Sequence, residues 1–153
     1  MVSTNKVAIV TASDSGIGKQ CALVLAKQGF DIGITWHSDE EGAKATAKEV
    51  EALGRRAEHV HLDLGNLPEG AEAINTLIER FGRIDALVNN AGAMSKAPFL
   101  EVAFDDWRKV FTVDVYGAFL CSQIAARKMA EQGQGGRIVN ITSVHEYTPL
   151  PEA

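Results

Sequence analysis

Thiols are scarce in this chain: Cys21 and Cys121 are its two cysteines, far apart and each set in an apolar helical pattern. That spacing excludes a C-x-x-C redox pair and a zinc knuckle, and it reads most simply as two reduced thiols packed as small hydrophobes. Long apolar runs are absent too, so nothing reaches membrane-spanning length. The start, Met1 to Lys6, is polar and leads straight into a strand, unlike a signal peptide, and a cytoplasmic protein is expected. Basic charge is in deficit: 15 Lys and Arg against 20 Asp and Glu leave a net charge of -5. A nucleic-acid footprint needs a basic face, so that class of partner is excluded. Of the four histidines, His37, His59, His61 and His145, only His59 and His61 are close in sequence. On a strand they would share a face, but no third ligand stands nearby at helical spacing. Strand-end solvation is the simpler reading, and no metal is expected.

What is present suits a globular domain. The 153 residues are enough for one domain with a core and too few for two. A hydrophobic share of 46% and a charged share of 23% suggest neither disorder nor a fibre. Short apolar runs alternate with helical patterns. Lys6–Thr11, Asp31–Trp36, Ala57–Leu62, Ile84–Val88 and Arg137–Thr142 read as five strands. Helices are expected over Gly16–Gly29, Asp39–Gly54, about Pro68 to Phe81, and Phe104 to Gln132, the last in two pieces joined near Asp114–Gly117. No linker, internal repeat or low-complexity tract interrupts the alternation.

Strands that are apolar throughout, separated by helices of this length, imply a parallel sheet covered on both faces. The expected fold class is α/β, a Rossmann-like doubly wound sheet of five strands. With right-handed crossovers the first strand is central, the second and third lie to one side, and the fourth and fifth to the other. The topological switch point then falls between the first and fourth strands, where a ligand crevice is expected.

The two most unusual loops lie there. Thr11-Ala12-Ser13-Asp14-Ser15-Gly16-Ile17-Gly18 joins a buried strand directly to a helix. Gly16 permits positive φ and close backbone approach, and Gly18 allows tight helix–strand packing. The N–H groups and dipole of the helix start suit a pyrophosphate. The second loop, Asn89-Asn90-Ala91-Gly92, closes the fourth strand. Its small and amide residues suit a backbone laid against a ribose or adenine. Alone it would pass for an ordinary Asn/Gly turn.

Taken together, T-x-x-x-x-G-I-G, the Asp63-Leu64 step after the third strand, N-N-A-G and I-V-N-I-T-S resemble the pattern of the short-chain dehydrogenase/reductase family. The resemblance covers essentially the whole chain, with its motifs in order. It implies that Ser13, Ser15, Gly16, Ile17 and Gly18 hold cofactor phosphates. It also implies that Asp63 and Leu64 face the adenine and that Asn90, Ala91 and Gly92 line the ribose side. Ser143, ending the fifth strand, matches the serine that hydrogen-bonds the substrate carbonyl or hydroxyl. The implied activity is carbonyl/alcohol interconversion by hydride transfer with NAD or NADP. The cofactor carries the hard step, and the protein polarises an oxygen and moves one proton. The implied partners are a small carbonyl or alcohol substrate and further copies of the chain, as a dimer or tetramer through the long helix. Neither nucleic acid nor membrane is expected as a partner.

Three departures from the pattern stand out. Ala12 replaces the first family glycine, and little damage is expected if that position keeps negative φ. Asp114, in T-V-D-V-Y-G-A-F, replaces the usual asparagine of a mid-helix kink and proton relay. An ionised carboxylate accepts from a water but cannot donate, so a working relay with altered pH dependence is expected. A solvated helical carboxylate is the plainer alternative. The family's acid–base tyrosine falls about thirteen residues beyond the serine, with a lysine four further on, roughly three residues and more past Ala153. Tyr147 lies only four residues from Ser143, and Pro151 stands where its lysine would be. A tyrosine without that lysine keeps a pKa of about 10 and is a poor acid–base group at neutral pH. The 153 residues are therefore expected to be truncated relative to the family and inactive alone. The fifth strand would then be left as an apolar edge.

Cofactor preference is read at the end of the second strand, Thr35-Trp36-His37-Ser38-Asp39. No acid sits at the strand end to favour NAD, and His37 with Ser38 can receive a 2′-phosphate. Ser15, where NADP-preferring relatives often carry Arg or Lys, argues the other way. The balance leans to NADP. The substrate is not legible, with only Ala93–Phe99 and Val144–Pro151 as candidate walls. Two other readings compete: a non-catalytic dinucleotide-binding or interaction module, and a fragment that does not fold stably alone. Ser143 favours the enzyme, since a pure binding module has no need of it.

Overall fold

The computed structural model describes residues 5–148, and five parallel strands form its centre. They are β1 (Val7–Val10), β2 (Asp31–Trp36), β3 (Ala57–His61), β4 (Ala86–Asn89) and β5 (Arg137–Asn140), in the order β3-β2-β1-β4-β5. The order is the expected one. The register runs Val10 beside Ile34 and Val88, so the strands reach their C-terminal ends together and present their following loops as one rim.

Each helix begins and ends for a local reason. The first, α1 (Gly16–Lys27), is followed by Gly29 at φ 95°. In α2 (Glu40–Ala52) the Asp39 carboxylate caps the start by accepting from the Gly42 N–H at 2.8 Å, as the acidic first turn implied. A short 3-10 turn, Glu69–Ala71, leads into α3 (Glu72–Phe81), which stops at left-handed Gly82. The long helical stretch runs through without a break. It comprises α4 (Phe104–Phe111), a π-helical segment (Thr112–Gly117) and α5 (Ala118–Gln132), closed by left-handed Gly133. The expected joint near Asp114–Gly117 is therefore a change of helical pitch.

The sheet separates two cores. On one face α1 and α2 set Ala22, Ala26, Ala43 and Ala47 against Ala8, Val10, Ile32 and Ile34. Alanines at these positions let both helices lie close to the sheet. On the other face Leu77, Ile78 and Phe81 of α3 and Cys121, Ala125 and Met129 of α5 cover Val7, Ile9 and Leu87. Each large aliphatic side chain fully buried this way contributes about 2 kcal/mol. Gly33 in β2 is needed here, since a Cβ would lie 2.9 Å from Ile9 Cγ1 and 3.1 Å from Leu77 Cδ1. Packing thins at β5, where Ile138 and Val139 are 37% and 46% exposed at the sheet edge. An open apolar groove of about 740 Å³ runs there between α1 and the β4–β5 side of the sheet. Among the described residues, no helix is long and apolar enough to cross a membrane.

Candidate functional site: the rim at the switch point

The two loops flanking the switch point are tied together by Thr11 and Asn90. Thr11 is fully buried, and its Oγ1 accepts from the backbone N–H of both Asn90 and Ala91 at 2.8 Å. Asn90 Nδ2 answers by donating to the carbonyls of Thr11 and Ala12, each at 3.1 Å. A second tie comes from β2. Thr35 Oγ1 accepts from Ala12 N at 3.0 Å, and its carbonyl accepts from Ser13 N at 2.9 Å. These six bonds, made by buried and half-buried groups, hold the loop in place.

Closure of that loop sets the backbone at Ala12 to φ 49°, the one non-glycine residue at positive φ among those described. The expectation that Ala12 keeps negative φ is thereby overturned. An alanine occupies a left-handed position, with its N–H and carbonyl both held in place by Thr35 and Asn90. Gly16 follows at φ 55° with open space where a Cβ would point. Gly18 is the opposite case. A Cβ there would clash with the Ala12 carbonyl oxygen and lie 2.6 Å from Asn90 Nδ2, so α1 presses directly on the loop. Ser15 is the N-cap residue of α1, but its side chain makes no bond to the helix start. The first N–H groups of α1 therefore point outward as donors beside exposed Ser15, Gly16 and Ile17. Ser13 differs from its neighbours: it is buried, and its hydroxyl proton goes to the Val10 carbonyl at 2.7 Å.

The ends of β2 and β3 form the next part of the rim. His37 Nε2 lies 3.5 Å from Asp63 Oδ1, and the rings of His37 and His61 stack with centroids 5.8 Å apart. His61 Nε2 contacts the His37 carbonyl at 2.9 Å. Because a carbonyl only accepts, that nitrogen carries the hydrogen. Ser38 is exposed beside them. Asp63 also accepts from Gly65 N at 2.8 Å. Leu64 parts company with Asp63: it is 5% exposed, in the core, with its side chain packed on Gly117. It offers a ligand almost no surface and instead fixes the π-helical segment against the sheet. Among the described residues, no three His, Cys, Asp or Glu side chains gather as a metal ion requires.

Beyond β4, Gly92 and the residues after it lie under the π-helical segment. Asp114 Oδ1 accepts from Ala93 N at 2.7 Å, so the N-N-A-G-A loop is held from Thr11 on one side and from Asp114 on the other. Asn89 anchors the strand end through Nδ2, which donates to Asn140 Oδ1 at 2.8 Å and Ser122 Oγ at 2.9 Å. Ser143 follows β5 on the same rim. It is exposed, and its Oγ accepts from His145 N at 3.1 Å within its own turn. Its distance from Asp114 is not bridged by a hydrogen bond among the described residues. Tyr147 is 83% exposed one turn further on. The expectation concerning Pro151 lies outside the described residues. Below the rim, burial pushes the Cys121 thiol up to about 12, which keeps it a neutral packing group.

Sequence reasoning singled out most of the rim but not Thr11 or Thr35 as its braces. The available signal was a threonine just past the end of β1 and another one residue before the end of β2.

Comparison with known proteins agrees with this architecture. The short chain dehydrogenase family matches residues 6–153, and the chain belongs to that family. It is 78% identical over 148 residues to the oxidoreductase YohF of Escherichia coli (strain K12), covering 97% of this chain and 58% of that protein. The crystal structure of acetoin dehydrogenase from Enterobacter cloacae superposes with a TM-score of 0.94 at 78% identity, over 97% of this chain and 59% of that one. A short chain dehydrogenase from Burkholderia cenocepacia J2315, in complex with NADP, superposes with a TM-score of 0.89 at 36% identity. That match covers 97% of this chain and 59% of the other. The chain thus spans a little under three fifths of the length of these relatives, 58% of the first.

Proposed function

We propose that the chain is the dinucleotide-binding part of an oxidoreductase that interconverts a small ketone and the corresponding alcohol. The observation that carries this reading is the uncapped start of α1 beside open Gly16, clamped against the Asn90 loop by Thr11 and Gly18. Outward N–H donors at a helix N-terminus suit a pyrophosphate, and no substituent fills the approach at Gly16. Gly16, Ile17, Gly18 and Ser15 would hold the phosphates, Asp63 would lie toward the adenine, and Asn90, Ala91 and Gly92 toward a ribose. Ser13 would act by shaping the turn. His37 and Ser38 favour NADP over NAD, because no carboxylate occupies the end of β2 itself.

When bound, the nicotinamide supplies a hydride acceptor or donor, chemistry that no side chain provides. Ser143, exposed on the rim, hydrogen-bonds the substrate oxygen. The substrate class, a small hydroxyketone or diketone, is proposed from the acetoin dehydrogenase of Enterobacter cloacae. Self-association is proposed through α4 and α5, where Phe104, Trp107, Phe111, Val115 and Phe119 form one exposed apolar stripe.

Fluorescence titration with NADPH and NADH, followed by a reduction assay on acetoin or diacetyl with the full-length protein, tests the reading. Micromolar cofactor binding and turnover are expected. Absence of binding by either nucleotide refutes it.

A further inference from the structure

Resting on that cofactor reading, we propose that Leu64 is a positioning residue of the site. Packed on Gly117, it seats the π-helical segment so that Asp114 can hold Gly92 and Ala93 in place for the cofactor, on the side away from the adenine.

Leu64 is a knob with a seat shaped for it. Its side chain is 5% exposed, and a Cβ on Gly117 would lie 2.9 Å from its Cδ1, 3.1 Å from its Cβ and 3.2 Å from its Cγ. The leucine therefore rests on glycine backbone, closer than a side chain at position 117 would allow. Its own backbone is tied to the sheet. Leu62 N donates to the Trp36 carbonyl at 2.8 Å. Asp63 accepts from Gly65 N through its carboxylate at 2.8 Å and from Asn66 N through its carbonyl at 3.3 Å. The knob is thus fixed from the β3 side, and the segment resting on it takes its position from there.

Gly117 ends the π-helical segment that begins at Thr112. This pitch is rare and needs outside contacts to persist within a longer helix. Leu64 supplies one such contact at Gly117, and Val113 packs on the same core cluster. Between those two inward residues stands exposed Asp114, whose Oδ1 accepts from Ala93 N at 2.7 Å. The same oxygen would lie 3.7 Å from a Cβ on Gly92. A hydrogen bond weakens steeply with misalignment, so a segment that slides over a truncated Leu64 loses its hold on Ala93.

Sheet order decides which part of a cofactor would register that loss. Along β3-β2-β1-β4-β5, Asp63 stands at the β3 edge, the start of α1 follows β1, and Ala93 lies past β4 on the way to Ser143. An adenosine fragment reaches Asp63 and the start of α1. A whole dinucleotide also runs past Ala93.

The test compares two affinities in the same protein by isothermal titration calorimetry: that for the more tightly bound reduced cofactor and that for its adenosine fragment. The fragment is adenosine 2′,5′-bisphosphate for NADPH, or AMP for NADH. Their ratio cancels any loss of folded protein, the one effect a residue serving only stability would have. Leu64→Ala should lower the cofactor-to-fragment ratio about fivefold, the loss of one hydrogen bond. Leu64→Met conserves volume and should keep the ratio within about twofold. Gly117→Ala leaves Leu64 whole but fills its seat. It should lower the ratio in the same direction, and it carries the test if Leu64→Ala does not fold. In an Asp114→Ala background the bond is already gone, so Leu64→Ala should change the ratio by less than about twofold. Two results overturn the inference while leaving cofactor binding intact. One is a ratio within about twofold of the unaltered protein's in Leu64→Ala, or in Gly117→Ala if that variant alone folds. The other is a further fall of about fivefold when Leu64→Ala is added to Asp114→Ala. Failure to bind either reduced cofactor would overturn the functional reading itself.

Discussion

Replacing Ala12 by glycine should stabilise the protein, although the change removes a methyl group and loosens the unfolded chain. Ala12 is held at φ 49°, where an L-residue costs about 1.5 kcal/mol through the clash of its Cβ with the following carbonyl. Glycine relieves that cost. Against it stand about 0.7 kcal/mol of extra unfolded-state entropy and about 0.4 kcal/mol for a half-buried methyl. The net gain is about 0.4 kcal/mol, an increase in melting temperature of roughly 1 °C for a chain of this size. Valine at the same position adds β-branched crowding to the left-handed backbone and should cost about 2 kcal/mol, lowering the midpoint by several degrees. Differential scanning calorimetry at fixed protein concentration, without nucleotide, reads both changes. The decisive quantity is the order glycine, alanine, valine from most to least stable. At negative φ the order reverses at its first step, since Ala12→Gly would then lose stability and Ala12→Val would be nearly neutral. A lower midpoint for Ala12→Gly refutes the left-handed assignment and the loop closure argued from it.

Other perturbations follow from the same rim. Thr11→Val removes the acceptor shared by Asn90 N and Ala91 N and should cost about 3 kcal/mol in urea unfolding, whereas Thr11→Ser should stay within about 1 kcal/mol. Asp114→Ala frees Ala93 N and should weaken cofactor binding about tenfold, whereas the Asn variant keeps an acceptor and should bind within about twofold. If the proposed oxidoreductase activity is found, superimposable pH–rate profiles for Asp114 and Asp114→Asn would confine this residue to anchoring the loop. For Cys121, the native protein at pH 8 should label with a thiol reagent at Cys21 first and leave Cys121 unmodified. The unfolded thiol ionises at about 8.5 and the folded one near about 12. Above about pH 8.5 the unfolded state therefore binds fewer protons, and stability should fall as pH rises. Cys121→Ser should flatten that limb, and an unchanged slope would refute the burial argument.

Much of the architecture was legible without coordinates, because period and punctuation are local properties. Runs such as Val7–Val10 and Asp31–Trp36, separated by helices ending at Gly29, Gly54 and Gly82, define strands and crossovers by themselves. The handedness of those crossovers then permits little besides the observed order β3-β2-β1-β4-β5. The same reasoning located the two loops at the switch point and a joint near Asp114–Gly117, but not the continuous π-helical segment that the joint proves to be.

What the tertiary structure alone decided are the partners of polar groups separated by long stretches of chain. Thr11 meets Asn90 and Ala91 across the β1–β4 junction, and Asp114 meets Ala93 N only because α4 and α5 fold back over the sheet. Ala12 is left-handed because Thr35 and Asn90 hold its two ends, a constraint from β2 and β4 that no local propensity contains. Leu64 turns from the rim to the core because Gly117 leaves room for it there. His37 meets His61 and Asp63 because parallel register sets Trp36 beside His61, an alignment decided by the whole β2–β3 ladder. Local sequence encodes where the chain bends and which faces are apolar. Which donor finds which acceptor depends on sheet order and register, and those exist only once the layers have packed.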